Sequence, residues 1–377
     1  MAQKIKPDEG YLEANKLYVG AERLQQYLPL LYNKKVALVI NNTSRINNTP
    51  LPDTLISLGI NVVKIFAPEH GYSGTLNRGQ NFKDTLINNI KIISLFGKKR
   101  QPSYDDLKDV DVVVYDIQDV GVRFFTYIST MYEVMNACAK WKKPFIVLDR
   151  PNPNGDYIAG PVLKPKFRSF VGMLPIPIVY GLTPGELALM INGEHWLNDS
   201  LQCNLTVIKM RHYTHHYKYI PPIKPSPNLP NYLAIRLYPS LALFEATNFS
   251  IGRGTLFPFQ VIGYPDPKFG KFTFIPHDIK TMQINPIQEG KTCYGIDLRN
   301  INPDTVHFSL YYIIKFYRLS NMGAKFFSRP HWFDLLCGTD KVRKQILEGK
   351  NAQEIEKSWK KDLINYDSLR RKYLLYP

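Results

Sequence analysis

The chain has 377 residues, of which 44% are hydrophobic and 13% aromatic, so it is long enough for two domains and its composition excludes a disordered protein. Its formal net charge is +16, from 48 Lys and Arg against 32 Asp and Glu, which favours anionic partners such as nucleic acid, lipid or a cell-wall polymer. The basic residues are scattered in short groups such as 98–100 and 370–372, a distribution that argues against nucleic-acid binding.

The sequence predicts no integral membrane segment, because no stretch approaches 18 consecutive apolar residues. The first twenty residues also lack the apolar segment of a secretory leader. The chain equally suits a mature exported protein whose leader has been removed. Its four cysteines are far apart and include no C-x-x-C pair, so they predict neither a zinc ribbon nor a redox dithiol.

The first 150 residues alternate short apolar runs with helical stretches, a pattern that predicts βαβ units and a mostly parallel sheet in an α/β fold. Strands are predicted over residues 36–41, 62–66, 92–96, 112–116 and 145–149. Crossover helices are predicted over residues 52–58 and 127–141. The chain lacks G-x-G-x-x-G after its first strand, so a nicotinamide enzyme is not expected.

Four of the predicted strands end in polar residues. The candidates at these ends are Asn42 after the first strand, Glu69 and His70 after the second, Asp116 and Asp119 at the fourth, and Asn152 after the fifth. Because the carboxyl ends of parallel strands lie at one edge of a sheet, we expect these side chains to converge there.

The most informative stretch is 66–75, Phe-Ala-Pro-Glu-His-Gly-Tyr-Ser-Gly-Thr. Its proline cannot continue the preceding strand and its glycines allow unusual backbone angles, so a turn presents Glu69 and His70. Glu69 suits the acid of a glycosidase if Phe66 and Tyr72 shield it from water. This role requires His70 to be neutral or turned away. The structural alternative is that Glu69 caps a helix or pairs with His70.

Asp116 and Asp119 are the candidates for a second catalytic carboxylate, and Asp116, at the strand end, is preferred. It would stabilise the sugar cation or assist a 2-acetamido group, which in some substrates supplies the attacking oxygen itself. Asp119 has an alternative role as the partner of Arg123 in a structural ion pair.

The proline-rich segment 221–230 predicts a hinge or a domain crossing, because proline disfavours helix and central strand. We place the domain boundary between residues 225 and 226, which gives domains of residues 1–225 and 226–377. Downstream, the sequence predicts a strand region up to residue 274 and helices over 303–319, 339–348 and 367–374.

A dense polar run at 244–255 contains Glu245, Asn248 and Arg253. Arg253 lies between two glycines, and its planar guanidinium group has the geometry that binds a carboxylate. The alternative is a salt bridge from Arg253 to Glu245.

The histidines His212, His215 and His216 form a cluster that has to be weighed as a metal site. They lack the H-E-x-x-H framework and a nearby acidic ligand. We therefore expect a surface loop there and no metal ion. The chain also lacks the G-x-S-x-G elbow of a serine hydrolase.

Several motifs, in order from about residue 18 to the C terminus, resemble the NamZ-type exo-β-N-acetylmuramidases, a family first described as a domain of unknown function. These motifs occupy residues 66–74, 116–131, 148–155, 160–161, 225–230, 245–255 and 372–377. The resemblance implies a Rossmann-like, mostly parallel sheet domain, a smaller α+β C-terminal domain and an active site in the cleft between them. It implies release of N-acetylmuramic acid from the non-reducing end of peptidoglycan fragments, with no metal, nucleotide or other cofactor.

Within this resemblance, Glu69 falls on the glutamate of the Pro-Glu-His-Gly motif, the catalytic acid. We expect Glu69 and Asp116 to be catalytic. The expected substrate-binding residues are Asn42, His70, Asp119, Arg123, Asn152, Glu245, Asn248 and Arg253. The lactyl carboxylate of N-acetylmuramic acid would bind Arg253 or Arg123.

The expected partners are peptidoglycan-derived disaccharides and muropeptides, and a periplasmic or cell-envelope location follows from the family. The alternative function is a non-catalytic muropeptide-binding protein of the same fold.

Overall fold

The computed structural model describes residues 16–74, 84–87 and 90–377, without the side chain of Ile87. The twenty-residue N-terminal stretch considered above therefore lies mostly outside the described residues, as does Thr75 at the end of the Pro-Glu-His turn. No α-helix among the described residues has the length and apolar character needed to cross a bilayer.

The strands of the described part are β1 (Lys35–Ile40), β2 (Arg45–Ile46), β3 (Thr49–Pro50), β4 (Asn61–Ala67), β5 (Thr85–Ile87), β6 (Ile90–Ser94), β7 (Val112–Asp116), β8 (Phe145–Leu148), β9 (Leu205–Ile208), β10 (Val261–Tyr264), β11 (Phe272–Phe274) and β12 (Cys293–Asp297). The helices are α1 (Leu24–Leu31), α2 (Leu51–Ser57), α3 (Tyr104–Leu107), α4 (Tyr127–Lys140), α5 (Pro184–Gly193), α6 (Tyr232–Leu241), α7 (Tyr311–Ser320), α8 (Pro330–Cys337), α9 (Lys341–Leu347), α10 (Ala352–Lys357) and α11 (Lys360–Arg370).

Within the described residues, seven strands form one sheet in the order β5-β6-β4-β1-β7-β8-β9. All neighbouring pairs are parallel except β5 with β6. Every residue of β7 is buried, as expected for a central strand that is covered on both faces. The predicted α/β class with a mostly parallel sheet is confirmed.

The C-terminal domain is smaller and contains an antiparallel sheet in the order β10-β12-β11. The largest cluster of buried hydrophobic residues includes side chains of α4, α6, α7 and α8, so it connects this domain to the parallel-sheet domain. The predicted smaller α+β domain is thus confirmed, whereas the boundary placed between residues 225 and 226 stays a prediction.

Candidate active site

A cavity of about 390 Å³ lies at the carboxyl edge of the parallel sheet. Its walls come from the loops after β4, β6 and β7, from the proline-rich segment near Ser226, and from residues of the C-terminal half such as Arg253. Small-molecule sites usually measure about 300–1,000 Å³. The cavity is therefore large enough for a sugar-sized ligand.

Aromatic rings form much of the cavity wall. Phe124, Phe125, Tyr238, Phe259 and Trp332 all line it. The Tyr238 ring centroid lies 5.3 Å from that of Phe124 and 4.9 Å from that of Phe259. Such rings present large apolar faces and limit the access of water. A sugar in the cavity would contact these faces.

The predicted shields of Glu69 lie elsewhere, and that expectation is corrected. Phe66 is fully buried in the main core, and Tyr72 packs against a second core cluster that includes β1. Glu69 instead shares the cavity with the aromatic rings of the β7–α4 loop and of the C-terminal half.

The turn after β4 positions Glu69 on the cavity wall. The Gly71 amide donates to the Pro68 carbonyl at 3.0 Å, and both His70 and Gly71 have positive φ angles, of 70° and 72°. A positive φ at a residue other than glycine is a source of strain that is often found at functional sites. The Thr126 hydroxyl donates to Glu69 Oε2 at 2.9 Å. Because Thr126 directly precedes α4, the Glu69 carboxylate lies beside a helix N-terminus.

His70 connects this turn to the proline-rich segment. Its Nε2 atom lies 3.2 Å from the Ser226 hydroxyl, and the ring is buried. Nearby, the Tyr127 hydroxyl donates to the Pro225 carbonyl at 2.9 Å. The segment that the sequence predicts as a domain crossing thus forms part of the wall beside Glu69.

Arg253 lines the cavity and also forms the salt bridge considered as its alternative. Its Nη2 atom lies 2.6 Å from Glu245 Oε1, and its guanidinium carbon lies 4.8 Å from the Phe259 ring centroid. Glu245 and Arg253 also line an adjoining hollow of about 210 Å³. The charge of Arg253 is therefore balanced by a carboxylate within the protein.

Arg100 is a second cation on the cavity wall, in the loop after β6. Its guanidinium carbon lies 4.3 Å from the ring centroid of Phe170, which also lines the cavity. The neighbouring Lys99 turns away and pairs with Asp106 at 2.6 Å. The short basic group at 98–100 thus contributes one residue to the cavity.

Sequence profiles of one family match nearly all of the chain. The profile described as "Exo-beta-N-acetylmuramidase NamZ, N-terminal" matches residues 36–233, and the corresponding C-terminal profile matches residues 236–376. The chain belongs to the NamZ family. A curated relative, the "Peptidoglycan beta-N-acetylmuramidase NamZ" of Bacillus subtilis strain 168, is 34% identical over 380 residues, which cover 94% of this chain and 89% of the relative.

Two crystal structures of DUF1343 family proteins from Bacteroides fragilis NCTC 9343 share the fold. The first is 45% identical, with a TM-score of 0.88 over 96% of this chain and 99% of that chain. The second is 30% identical, with a TM-score of 0.83 over 97% and 100%. The resemblance to the NamZ family and the fold it implies are both confirmed.

In this NamZ family member, Asp116 lies outside the described lining of the cavity. It is fully buried, and its two carboxylate oxygens accept hydrogen bonds from Arg150, from Nε and from Nη2, the latter at 2.9 Å. A carboxylate enclosed in this way does not reach a ligand in the cavity. The predicted catalytic role of Asp116 is therefore corrected, because this residue forms a buried ion pair with Arg150.

Asp119 is also buried and lies outside the described lining of the cavity. Its Oδ2 atom accepts hydrogen bonds from the Gly121 amide at 2.6 Å and from the Tyr180 hydroxyl. Burial raises the pKa of Asp119 to about 7. The alternative ion pair with Arg123 does not form, because Arg123 donates to backbone carbonyls instead. The position of Asp119 outside the described lining of the cavity does not support the predicted substrate contact.

Arg123 connects the two halves of the chain instead of binding substrate. It is fully buried, and it donates to the carbonyls of Pro161 at 2.9 Å, Ile176 at 2.7 Å and Leu336 at 2.9 Å. Burial lowers its pKa to about 10. The expectation that Arg123 holds a lactyl carboxylate is corrected, because its guanidinium group is used by the backbone.

The three predicted asparagines do not belong to the described cavity lining. Asn152 is buried and donates to the Leu182 carbonyl at 2.9 Å. Asn42 packs behind the Glu69 turn, where a Cβ on Gly74 would lie 2.1 Å from its Oδ1 atom. Asn248 is exposed. Asn42 therefore supports the turn, while Asn152 and Asn248 lie outside the lining formed by the described residues.

The histidine cluster is divided between the surface and the interior. His212 and His216 are exposed, as expected for a surface loop. His215 is buried, with Nε2 3.0 Å from Glu186 Oε1, so the expectation is wrong for this residue. In the described ranges, no group of three or more His, Cys, Asp or Glu residues has an arrangement that could hold a metal ion.

Sequence reasoning missed Thr126 and Arg100. Thr126 directly precedes a helix that the sequence predicts, at the N-cap position, where Thr is common. Arg100 follows the third predicted strand, so the rule applied to the other strand ends would also have reached its loop. The aromatic wall crosses distant parts of the chain and has no local sequence signal.

Proposed function

We propose that this protein is an exo-acting β-N-acetylmuramidase that releases N-acetylmuramic acid from the non-reducing end of peptidoglycan fragments. Its membership of the NamZ family supports this reaction, and the curated Bacillus subtilis relative is named for β-N-acetylmuramidase activity on peptidoglycan. The observation that carries the proposal is the position of Glu69, which lies on the wall of a sugar-sized cavity and accepts a hydrogen bond from Thr126.

In the proposed reaction, Glu69 donates a proton to the glycosidic oxygen as the bond from this oxygen to the sugar breaks. Thr126 orients the carboxyl group through its hydroxyl. The aromatic rings that share the cavity contact the sugar and limit the access of water. His70 and Arg253 contribute polar contacts from the same wall, and Glu245 holds Arg253 in place.

The second group of the reaction needs a source other than Asp116, whose oxygens are occupied by Arg150. We propose that the 2-acetamido oxygen of the substrate attacks the anomeric carbon while Glu69 protonates the leaving oxygen. Water then opens the cyclic intermediate, with Glu69 accepting its proton. Two displacements retain the anomeric configuration, so NMR of the first product should show the β anomer. An α anomer would contradict this step.

We also propose a periplasmic or cell-envelope location, because peptidoglycan lies there and a net charge of +16 attracts anionic cell-wall fragments. Muropeptides are the proposed ligands alongside the disaccharides. Fractionation of cells that express the natural gene tests the location, and recovery with the cytosolic fraction would contradict it.

Defined disaccharides test the activity directly. One has N-acetylmuramic acid at the non-reducing end and the other has it at the reducing end, and mass spectrometry identifies the released sugars. We expect N-acetylmuramic acid from the first disaccharide and no cleavage of the second. Stable binding in calorimetry without any released sugar would indicate the alternative, a non-catalytic muropeptide-binding protein. Release of N-acetylglucosamine from the second disaccharide would contradict the proposed specificity.

A further inference from the structure

Arg100 enters the cavity from a loop at the carboxyl edge of the sheet. The loop follows β6 and turns at Gly97, which has a positive φ of 85°. Lys99 then points toward α3 and pairs with Asp106, whereas Arg100 lines the cavity that also contains Glu69. Two adjacent cations therefore have different environments, and one of them faces the proposed substrate site.

The Arg100 guanidinium group is held on an aromatic ring. Its central carbon lies 4.3 Å from the Phe170 centroid, and the Phe170 carbonyl accepts a hydrogen bond from the Ser129 hydroxyl at 2.7 Å. A guanidinium group that stacks on a ring keeps its N–H bonds in its own plane, where two of them fit the two oxygens of a carboxylate. Stacking also reduces the entropy lost when a ligand binds.

The charge of Arg100 is available to a ligand. Among the described residues, no Asp or Glu oxygen lies within the 4.0 Å of a salt bridge to Arg100. Glu133 interacts with Arg100 only through longer-range electrostatics, and it interacts with Arg168 in the same way. Arg253, by contrast, faces Glu245 at 2.6 Å. Arg100 thus gives the cavity wall a positive charge that no close carboxylate balances within the described part of the chain.

We propose that Arg100, stacked on Phe170, forms a carboxylate-binding subsite for the lactyl group of N-acetylmuramic acid. This inference rests on the proposed function, and it replaces Arg253 and Arg123 as the residue that recognises this carboxylate. The lactyl group is the part of N-acetylmuramic acid that N-acetylglucosamine lacks. Arg100 would therefore determine which of the two sugars the cavity selects.

Binding of the free sugars tests this subsite without any turnover. Calorimetry compares N-acetylmuramic acid with N-acetylglucosamine on the wild type and on Arg100→Gln. A hydrogen bond to a charged group contributes about 1.5–3 kcal/mol, so Arg100→Gln should weaken N-acetylmuramic acid binding about 10- to 150-fold. The preference for N-acetylmuramic acid over N-acetylglucosamine should fall by the same factor. An unchanged preference would overturn the proposal.

Arg168→Gln is the matched control. Arg168 is also exposed, lies 5.4 Å from an aromatic ring, that of Tyr132, and interacts with Glu133, but it lies outside the described cavity lining. The control removes the same charge from the same surface, so it should keep the preference of the wild type. An equal loss of preference in both variants would show a general charge effect and would overturn the subsite.

Hydrolysis separates this inference from the proposed function. The substrates are the nitrophenyl β-glycoside of N-acetylmuramic acid and its lactyl methyl ester, which carries no charge. We expect Arg100→Gln to remove most of the difference in kcat/KM between acid and ester. A wild type that hydrolyses both substrates while the variant keeps the full difference would refute the subsite but support the muramidase. A wild type that binds the sugar through Arg100 without hydrolysis would refute the muramidase and support the subsite.

Discussion

Strands β4 and β7 lie on either side of β1, and each leads to an acidic residue with a very different environment. Glu69 lies beyond the end of β4 in a turn on the cavity wall, hydrogen-bonded to Thr126. Asp116 is the last residue of β7, is fully buried and pairs with Arg150. A strand end thus brings a residue to the functional edge, but the following turn decides whether it faces the cavity.

Asp116→Ala should give the largest loss of stability. The substitution leaves the buried Arg150 charge without its carboxylate, and breaking a buried pair costs about 3–5 kcal/mol. Urea denaturation measures this change in the free energy of unfolding. Asp105→Ala, which removes the exposed pair with Lys108, is the control and should change the free energy of unfolding far less, because solvent screens an exposed pair. Equal costs for both variants would refute the structural role of Asp116.

Thr126→Val tests whether the hydrogen bond to Glu69 matters for catalysis. It removes the hydroxyl that orients the carboxyl group, and a hydrogen bond to a charged group contributes about 1.5–3 kcal/mol, so kcat should fall about 10- to 150-fold. Steady-state kinetics on a defined disaccharide measures the change. Thr130→Val is the control one turn later, where the hydroxyl contacts a backbone carbonyl. A similar loss of kcat in the control would contradict a specific role of Thr126.

The raised pKa of Asp119 predicts that the stability of the folded protein depends on pH. Burial raises the pKa of Asp119 to about 7, whereas the ordinary pKa of this group is 3.8, so between these values the folded protein holds a proton that the unfolded chain has lost. Stability should therefore be highest below this range and fall as the pH rises toward 7, by at most about 1.4 kcal/mol per pH unit for one group.

Urea denaturation between the two pKa values, 3.8 and about 7, measures how the free energy of unfolding of the wild type and of Asp119→Asn changes with pH. The variant has no proton to lose at this position, so its stability should fall less steeply with pH. An equal slope in both proteins would show that Asp119 ionises normally in the folded state.

Ser226→Ala should have the smallest effect. It removes the hydroxyl 3.2 Å from His70 Nε2, and an ordinary hydrogen bond contributes about 0.5–1.5 kcal/mol, which corresponds to a loss of about 2- to 12-fold in kcat/KM. An unchanged kcat/KM would show that the His70–Ser226 contact has no part in the reaction.

The sequence predicted the parallel sheet well because its strands are continuous apolar runs. Residues 112–116 match β7, and 36–41 differs from β1 by one residue at each end. It missed β9, a short edge strand in which Thr206 is exposed and Leu205 and Val207 are only partly buried. Such a strand carries little hydrophobic signal, since its existence depends on pairing with β8.

A helix predicted over 303–319 is wrong in its first half. A short 3-10 helix at Pro303–Thr305 is followed by non-helical chain, and α7 begins at Tyr311. Val306 and Phe308 are both buried, at the spacing of two residues that an extended chain uses to place side chains on one face. Tertiary packing therefore overrides the local helical pattern here.

Within the site, strand ends identified Glu69 and His70 because position along a strand is a local property. The same rule selected Asp116, Asp119 and Asn152, whose burial depends on partners distant in sequence, such as Tyr180 for Asp119. The position of the Arg100 side chain could not be predicted in this way. It depends on the Phe170 ring, which is distant in sequence.

The most direct test of the account compares Glu69→Gln with the wild type on two leaving groups. A general acid matters most when the leaving oxygen is basic, so the variant should lose about 10²–10⁴ in kcat on a disaccharide. It should lose much less on a dinitrophenyl glycoside, whose leaving group departs without a proton. Full activity of Glu69→Gln on the disaccharide, or equal losses on both substrates, would contradict the assignment of Glu69 as the catalytic acid.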